Sequence, residues 1–515
     1  MSQYYTATDH FVLLPALMLA LFGCAVLLMD FLIPGKAAQR RWLVFFTLAG
    51  LGFAAAALVR QHLFLVDNNL RELTAFGGSL VVDRFAIFFN FIFLAAAAIV
   101  TLISWRFLEI DDEPMGEYYG LLLLANCGMY FLATGADLVT VIVGLELMAL
   151  SFYILVGFAR RDKRSNEAAM KYLLLGAFST GFLLYGFSLL YGISGSTKLL
   201  EIGAAVAKQG PHSPVVFLAI VTCAVGLLFK ISAAPFHMWA PDAYEGAPTP
   251  VTAYLAVASK AASFALLTRI FLGPLLPARD MWQPLLLGIA ILTLFVGNLA
   301  AMSQDNVKRL LAYSSISHAG YVLLGLVAGN DTGVQGIAVY IMVYAFMTLG
   351  AFLVVAAMQR DGVRGDTIED LRGLIRRRPG YAIWMLIFLM SLAGLPPTAG
   401  FIGKYFIFVS LIETGHYTAA VIAALFAAVA LYYYFRIVKV MFELNDEKDD
   451  APSPAFSLSF ATALTITGVL TVVIGLYPEP FLKYTHIRPG RGMSAVTAIA
   501  PASPAAPTAA PAGGR

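Results

Sequence analysis

Long apolar stretches separated by short polar ones run through almost the whole chain. Runs long enough to cross a bilayer fall at 11–33, 42–60, 82–105, 117–134, 137–158, 167–193, 214–237, 248–273, 282–302, 306–328, 334–358, 380–412, 417–442 and 456–477. A membrane helix needs roughly 20 apolar residues, and each run meets that length. The pattern predicts an all-α polytopic membrane protein with about 14 transmembrane helices. The pairs within 117–158 and 282–328 have very short connections, which predicts tight antiparallel helix pairs.

Two runs are interrupted. In GLLFKISAAPFHMWAPDAYEGAPTPVTAYLAVASK, which spans Gly226 to Lys260, Pro235 follows Lys230 within apolar sequence. A proline lacks the amide a helix would use, and its ring crowds the preceding turn. The next apolar run opens at Pro248-Thr249-Pro250, after a polar connection that carries Asp242 and Glu245. The run 380–412 is too long for one straight helix and contains Leu395-Pro396-Pro397. A helix that stops at mid-depth leaves backbone groups that lipid cannot satisfy, so such breaks persist only where protein or internal water surrounds them.

The breaks suggest a repeat. Residues 117–273 hold helices four to eight, of which the fourth member is broken near Lys230 and Pro235. Residues 282–442 hold helices nine to thirteen, again with the fourth member broken, at Pro396-Pro397, and followed by Lys404. A five-helix unit ends on the side opposite its start, so two tandem copies are expected to be inverted five-helix repeats, a plan typical of transport folds. Residues 1–116 supply helices one to three and 456–480 the last helix. The Pro/Ala/Ser/Thr-rich stretch 489–515 is expected to be a disordered tail.

Composition narrows the function. The chain of 515 residues is 60% hydrophobic and 13% charged, against about 25% charged in soluble domains. Its net charge of +3, from 34 basic and 31 acidic residues, gives no reason to expect nucleic acid. Cys24, Cys127 and Cys223 lie in apolar runs without CxxC or Cys/His clustering. They are expected to be buried small hydrophobes, with no metal, iron–sulfur or disulfide chemistry. The first apolar run has no basic region before it and is too long for a signal peptide, so it reads as a retained helix. Gly403-Lys404 is followed by Tyr405 instead of Ser or Thr, and no glycine stands at the upstream spacing of a phosphate loop. No strand–GxGxxG–helix pattern and no long extramembrane segment occur, so the chain is expected to hold no nicotinamide, flavin or ATP itself.

Basic residues concentrate in the loops after odd-numbered runs: Lys36, Arg40, Arg41; Arg160, Arg161, Lys163, Arg164; Lys308, Arg309; and Arg360, Arg364, Arg372, Arg376, Arg377 and Arg378. Loops after even-numbered runs hold only Arg60, Arg71, Lys198, Lys208 and Arg279. The odd loops are therefore expected to face the cytoplasm and both termini the outside. Lys483, Arg488 and Arg491 weigh the other way.

Titratable residues stand inside the apolar runs. Glu146 lies roughly 12 Å into its helix at about 1.5 Å per residue. Lys260 and His318 are similarly central, and Lys230 and Lys404 accompany the two breaks. They share one depth on different helices, which gives a row parallel to the membrane. A charge at that depth costs at least about 2.5–3.5 kcal/mol, so chance placement is disfavoured. Burial of an amine favours its neutral form and a nearby carboxylate its charged form, so each site's protonation alters the next. Glu146 and Lys230 form the natural first pair, and Lys260 is expected in a continuous helix. Each residue also has a plainer alternative. Glu146 with Lys230 fits a structural ion pair, Lys404 a snorkelling lysine, and Lys171, near the basic loop, an interface lysine instead of a relay member. His318, beside Ser314, Ser315 and Ser317, fits a packing histidine. Asp242 and Glu245 fit solvated loop acids capping the next helix, or a proton entry.

With these residues in view, the chain resembles the N-type antiporter-like membrane subunits of respiratory complex I, the proton-pumping NADH–quinone oxidoreductase. The matching stretches are VGLELMALSFYILVGF, NEAAMKYLLLGAFSTGFLLYG, FKISAAPFHMWAPDAYEGAPTPVTAYLAVASK, GNLAAMSQDNVKRLLAYSSISHAGYVLLG and LAGLPPTAGFIGKYFIF, in that order over about residues 10–480. Larger antiporter-like subunits and multisubunit cation/proton antiporters look different: they typically carry His-Ala-Ala-Thr-Met where this chain has Val-Ala-Ser-Lys260. The resemblance implies proton translocation by Glu146, Lys230, Lys260 and Lys404. It also implies sister membrane subunits, both antiporter-like and small. A hydrophilic arm would hold NADH, FMN and iron–sulfur clusters, with quinone reduced in other subunits and no cofactor in this chain. The lack of a transit-like N-terminus favours a bacterial plasma membrane. Alternatives are a subunit of a multisubunit Na+/H+ antiporter and a quinone-binding module.

Overall fold

The computed structural model describes residues 6–32, 42–110, 113–210, 213–358, 365–443 and 458–487. The stretch 489–515 and the basic residues Lys36, Arg40, Arg41, Arg360, Arg364, Arg488 and Arg491 lie outside the described residues. Helices α1 (Ala7–Leu32) and α2 (Trp42–Asp67) lead into a hairpin of strands β1 (Glu72–Ala75) and β2 (Leu80–Asp83). Helices α3 (Arg84–Ile110), α4 (Met115–Thr134), α5 (Leu138–Val156) and α6 (Lys163–Ser194) follow, then the short surface helix α7 (Leu199–Gln209). The first interrupted region comprises α8 (Pro214–Lys230), α9 (Trp239–Gly246), α10 (Thr249–Tyr254), a π turn over Leu255–Ser259 and α11 (Lys260–Phe271). The second half holds α12 (Arg279–Met302), α13 (Val307–Ala328), α14 (Asp331–Met358), the short α15 (Leu374–Arg377), α16 (Pro379–Ala393), α17 (Ala399–Glu413) and α18 (Tyr417–Phe442). It ends in α19 (Leu458–Leu476) and α20 (Glu479–Leu482).

Every apolar run predicted to span contains a helix, and eleven helices among the described residues are individually long and apolar enough to cross a membrane. The chain is a multi-pass membrane protein. The β1–β2 hairpin is the one departure from the all-helical expectation among the described residues, formed where Gly77 and Gly78 take positive φ between the strands.

Burial separates an inner set of helices from an outer one. Every residue of Thr249–Phe271 is buried, and nearly all of α13 and α14 are, whereas most residues of α1 and α18 are not. Helix α4 is also almost wholly buried, so protein instead of lipid surrounds its polar Asn126. The predicted tight pairs are present: α4 turns into α5 within three residues, and α12 into α13 within four. Asp137 caps α5 by accepting from Val139 N at 2.8 Å, and Asn306 caps α13 by accepting from Arg309 N at 3.0 Å. A Cβ on Gly128 of α4 would stand 2.6 Å from Met148 N of α5, so only glycine permits this approach.

Connections sort to two ends. At one, Arg160 pairs with Glu117, Arg436 with Asp305 and Arg372 with Glu443. At the other, Leu80 bridges Gly135, and Asp137 bridges Lys198. The first set follows odd-numbered runs and the second even-numbered ones, as alternation across a bilayer requires.

Candidate functional site: a buried row of lysines, histidine and tyrosines

Both broken helices satisfy their exposed backbone groups internally, as burial demands. At the first break α8 ends at Lys230, and the Ala234–Pro235 peptide is cis. Trp239 Nε1 donates to Phe229 O at 2.9 Å, and Ala234 N donates to Thr293 Oγ1 of α12 at 3.0 Å. The indole is stacked on Tyr172 of α6 at 4.4 Å between ring centroids. With the helix end capped in this way, Lys230 points elsewhere. Its ammonium lies 3.5 Å from Tyr153 Oη and 5.7 Å from the centroid of that ring.

The second break solves the same problem with its lysine. Helix α16 stops at Gly394 in the left-handed region (φ 86°), and the Pro396–Pro397 peptide is cis. Lys404 of α17 donates to Ala393 O at 2.7 Å and Leu392 O at 3.3 Å, carbonyls the helix end leaves open. A cation is favoured at a helix C-terminus because partial negative charge gathers there. Ser391 Oγ accepts from Gly400 N at 3.0 Å and closes the loop. Lys404 is 4% exposed, so it does not snorkel to an interface.

Between the breaks, Lys260 (3% exposed) donates to Ser315 Oγ at 2.5 Å and to Ser315 O at 3.1 Å. Tyr344 of α14 donates to the same Ser315 hydroxyl at 2.6 Å. One turn along α13, His318 Nδ1 meets Tyr340 Oη at 2.7 Å and Nε2 meets Tyr434 Oη of α18 at 3.2 Å. Tyr434 also bonds Ser314. The Tyr340 ring stacks on Tyr321, over which the Lys404 ammonium sits 5.0 Å from the centroid. The His318 and Tyr344 rings lie 5.2 Å apart between centroids, so two hydrogen-bonded groups joined by ring contacts lead from Lys260 to Lys404 through the protein interior.

Several expectations need correction. Glu146 is the charged group acting on Lys230, as the expected pair requires, but without a direct contact: the ammonium meets Tyr153 Oη, and Glu146 Oε1 is buried without a hydrogen-bond partner among the described residues. Asp242 and Glu245 are not loop acids capping the next helix. They stand on α9, where Arg309 of α13 binds both, at 3.0 and 2.9 Å. Lys171 pairs with Asp242 at 2.9 Å and with Glu167 at 2.8 Å while its side chain stays 45% exposed, so it is not brought into the buried row. The helix carrying Lys260 has a π turn immediately before it. An extra residue in that turn rotates the following segment, and such turns gather at functional sites. Cys24 is exposed, unlike the buried Cys127 and Cys223.

A family model described as NADH:quinone oxidoreductase/Mrp antiporter, TM, matches residues 135–430, which include Glu146, Lys230, Lys260, His318 and Lys404. The chain is 62% identical over 482 residues to NADH-quinone oxidoreductase subunit N 2 of Solibacter usitatus, covering 94% of this chain and 98% of that relative. The chain belongs to the NADH-quinone oxidoreductase subunit N family. Subunit N 1 of Koribacter versatilis is 51% identical, with 93% of this chain and 95% of that relative covered. A chain in the structure of respiratory complex I from Thermus thermophilus with bound aureothin shares 34% identity and a TM-score of 0.76 over 91% of this chain and 98% of that one. A chain of the Mrp complex from Dietzia sp. shares the fold at a TM-score of 0.81 and 19% identity, covering 95% of this chain and 98% of that one.

In this subunit N member, sequence reading missed the tyrosines. Tyr153, Tyr321, Tyr340, Tyr344 and Tyr434 lie in apolar helical runs, where an aromatic reads as core packing. A signal was available in hindsight: Tyr340 and Tyr344 are spaced i, i+4, so they share one face of α14.

Proposed function

We propose that this subunit N member is a proton-translocating element of an NADH–quinone oxidoreductase, with the buried row as its working part. The observation that carries the reading is the enclosed connection from Lys260 through Ser315, Tyr344, His318, Tyr340 and Tyr434 towards Lys404. An amine that gains and loses a proton changes the charge seen by the next group, and hydroxyls and an imidazole can both donate and accept. Lys230 begins the row, Lys260 is its centre and Lys404 its far end. His318 links the last two. Glu146 acts on Lys230 electrostatically across Tyr153, and Lys171 belongs with the surface acids.

The two tight pairs and the two broken helices support inverted repeats over 117–273 and 282–442. Glu146 on α5 and His318 on α13 then hold equivalent places, each on the second helix of its repeat. In this reading the chain is one subunit of a translocase and binds no redox cofactor. NADH, FMN, iron–sulfur clusters and quinone belong to other subunits. Its partners are sister membrane subunits and a hydrophilic arm, and its location is a bacterial plasma membrane with the odd loops cytoplasmic.

Purification of the affinity-tagged chain from native membranes tests this. Recovery with NADH:quinone reductase activity and iron–sulfur absorbance is the expected result. Recovery in a complex without redox centres that exchanges Na+ for protons would overturn it in favour of an antiporter subunit, the reading to which the Mrp fold likeness points.

A further inference from the structure

Lys308 is a buried titratable group that the row does not use. It stands in the first turn of α13, at the end where Arg309 gathers Asp242 and Glu245, yet it is only 3% exposed. Its ammonium donates to Ala247 O at 2.6 Å, in the connection between α9 and α10. A neutral amide would serve for that tie, so the tie alone does not explain a buried cation. The charged groups acting on it are Asp366, Glu245 and Arg164. Asp366 is 5% exposed, and its Oδ2 has no hydrogen-bond partner among the described residues. Asp242, Arg309, Lys171 and Glu167 stand at the same end, with the Arg436–Asp305 pair beside the start of α13.

Lys308 is also aligned with the centre of the row. Ser315, which binds Lys260, lies seven residues further along α13, on the same face and about 10 Å deeper. Helix α9 runs alongside: it carries Glu245 near the surface, and its Tyr244 ring sits 5.7 Å from the Lys260 ammonium. Carboxylates, a buried amine and the central lysine therefore follow one another inwards along α13 from the basic-loop end.

We propose that Lys308 is the uptake residue through which protons from the basic-loop side reach Lys260. The inference rests on the relay proposed above. A protonated Glu245 or Asp366 carboxyl gives its proton to the neutral Lys308 amine and becomes a carboxylate. The resulting ammonium passes the proton to the neutral Lys260 amine by way of water and the Ser315 hydroxyl, and Lys308 returns to its neutral form.

The test uses the whole complex in sealed inside-out vesicles, with complex content matched and NADH-driven proton uptake followed from mildly acidic to alkaline medium. Lys308→Met is expected to lower uptake roughly tenfold in alkaline medium and about twofold or less in acidic medium, where bulk protons offset the lost port. Lys308→Arg keeps a donor for Ala247 O but does not release its proton, so it is not expected to restore uptake. A uniform loss at every pH, no loss, or full rescue by arginine would overturn the port and leave a structural tie. If neither Lys308 variant assembles, the double variant Glu245→Gln with Asp366→Asn decides: the same alkaline-weighted loss supports the port and a flat profile overturns it. Lys260→Ala separates the two claims. Normal pumping by that variant sinks the relay itself, whereas a silent Lys260→Ala with flat profiles for the Lys308 variants and the double carboxylate variant sinks only the port.

Discussion

The buried lysines end on different acceptors, and the acceptor sets what each can do. Lys404 is bound to two helix-end carbonyls, Lys260 to a serine hydroxyl that can pass a proton on, and Lys230 to a tyrosine. Ser315 is thus the junction, and Tyr344 its second donor. One such hydrogen bond is worth about 1 kcal/mol, or roughly fivefold in a rate that depends on it. Tyr344→Phe is therefore expected to assemble normally and slow NADH-driven pumping by about that factor. An unchanged rate would remove Tyr344 from the path. Glu146→Gln is expected to leave complex content intact while severely reducing pumping, because the amide keeps the shape and removes the charge near Lys230. Failure to assemble would instead mark Glu146 as structural. The titratable members were legible in the sequence, since a charge inside an apolar run stands out at once. Their partners were not. That Lys230 meets Tyr153 instead of Glu146 depends on side-chain direction, which helical spacing does not fix.

At the scale of elements, the breaks are built by close approach as well as by proline. A Cβ on Gly400 would fall 1.8 Å from Ser391 O, so α17 meets the end of α16 only through a glycine. Gly400→Ala forces the break open, at a cost of about 1–3 kcal/mol. The purified complex should then lose thermal stability relative to Gly288→Ala, whose added Cβ has nothing within 4 Å. Equal melting of the two variants would mean that the break yields freely. Pro396-Pro397 announced this element, and the length of the run confirmed that one helix could not fill it. Helix α9 was concealed by its polar residues and by Pro241, which is tolerated in a first turn because no amide partner is needed there. The π turn before Lys260 leaves no mark in Leu-Ala-Val-Ala-Ser, which suits either winding.

Across the whole molecule, the sorting of connections to two ends agrees with the alternation read from the hydrophobic runs. Lys163 and Lys198 are exposed at opposite ends. After the native cysteines are replaced, Lys163→Cys is expected to react only with reagent reaching the cytoplasmic side of intact cells, and Lys198→Cys only from outside. Equal labelling of both from outside would overturn the orientation. The central claim is that Lys260 works by releasing and regaining a proton. Lys260→Arg tests it most directly, because guanidinium keeps the positive charge and does not release its proton at accessible pH. With complex content verified in sealed vesicles, NADH-driven acidification should be abolished in this variant, and coupled quinone reduction slowed with it. Near-normal acidification would show that the position needs only a fixed positive charge, and would contradict the relay.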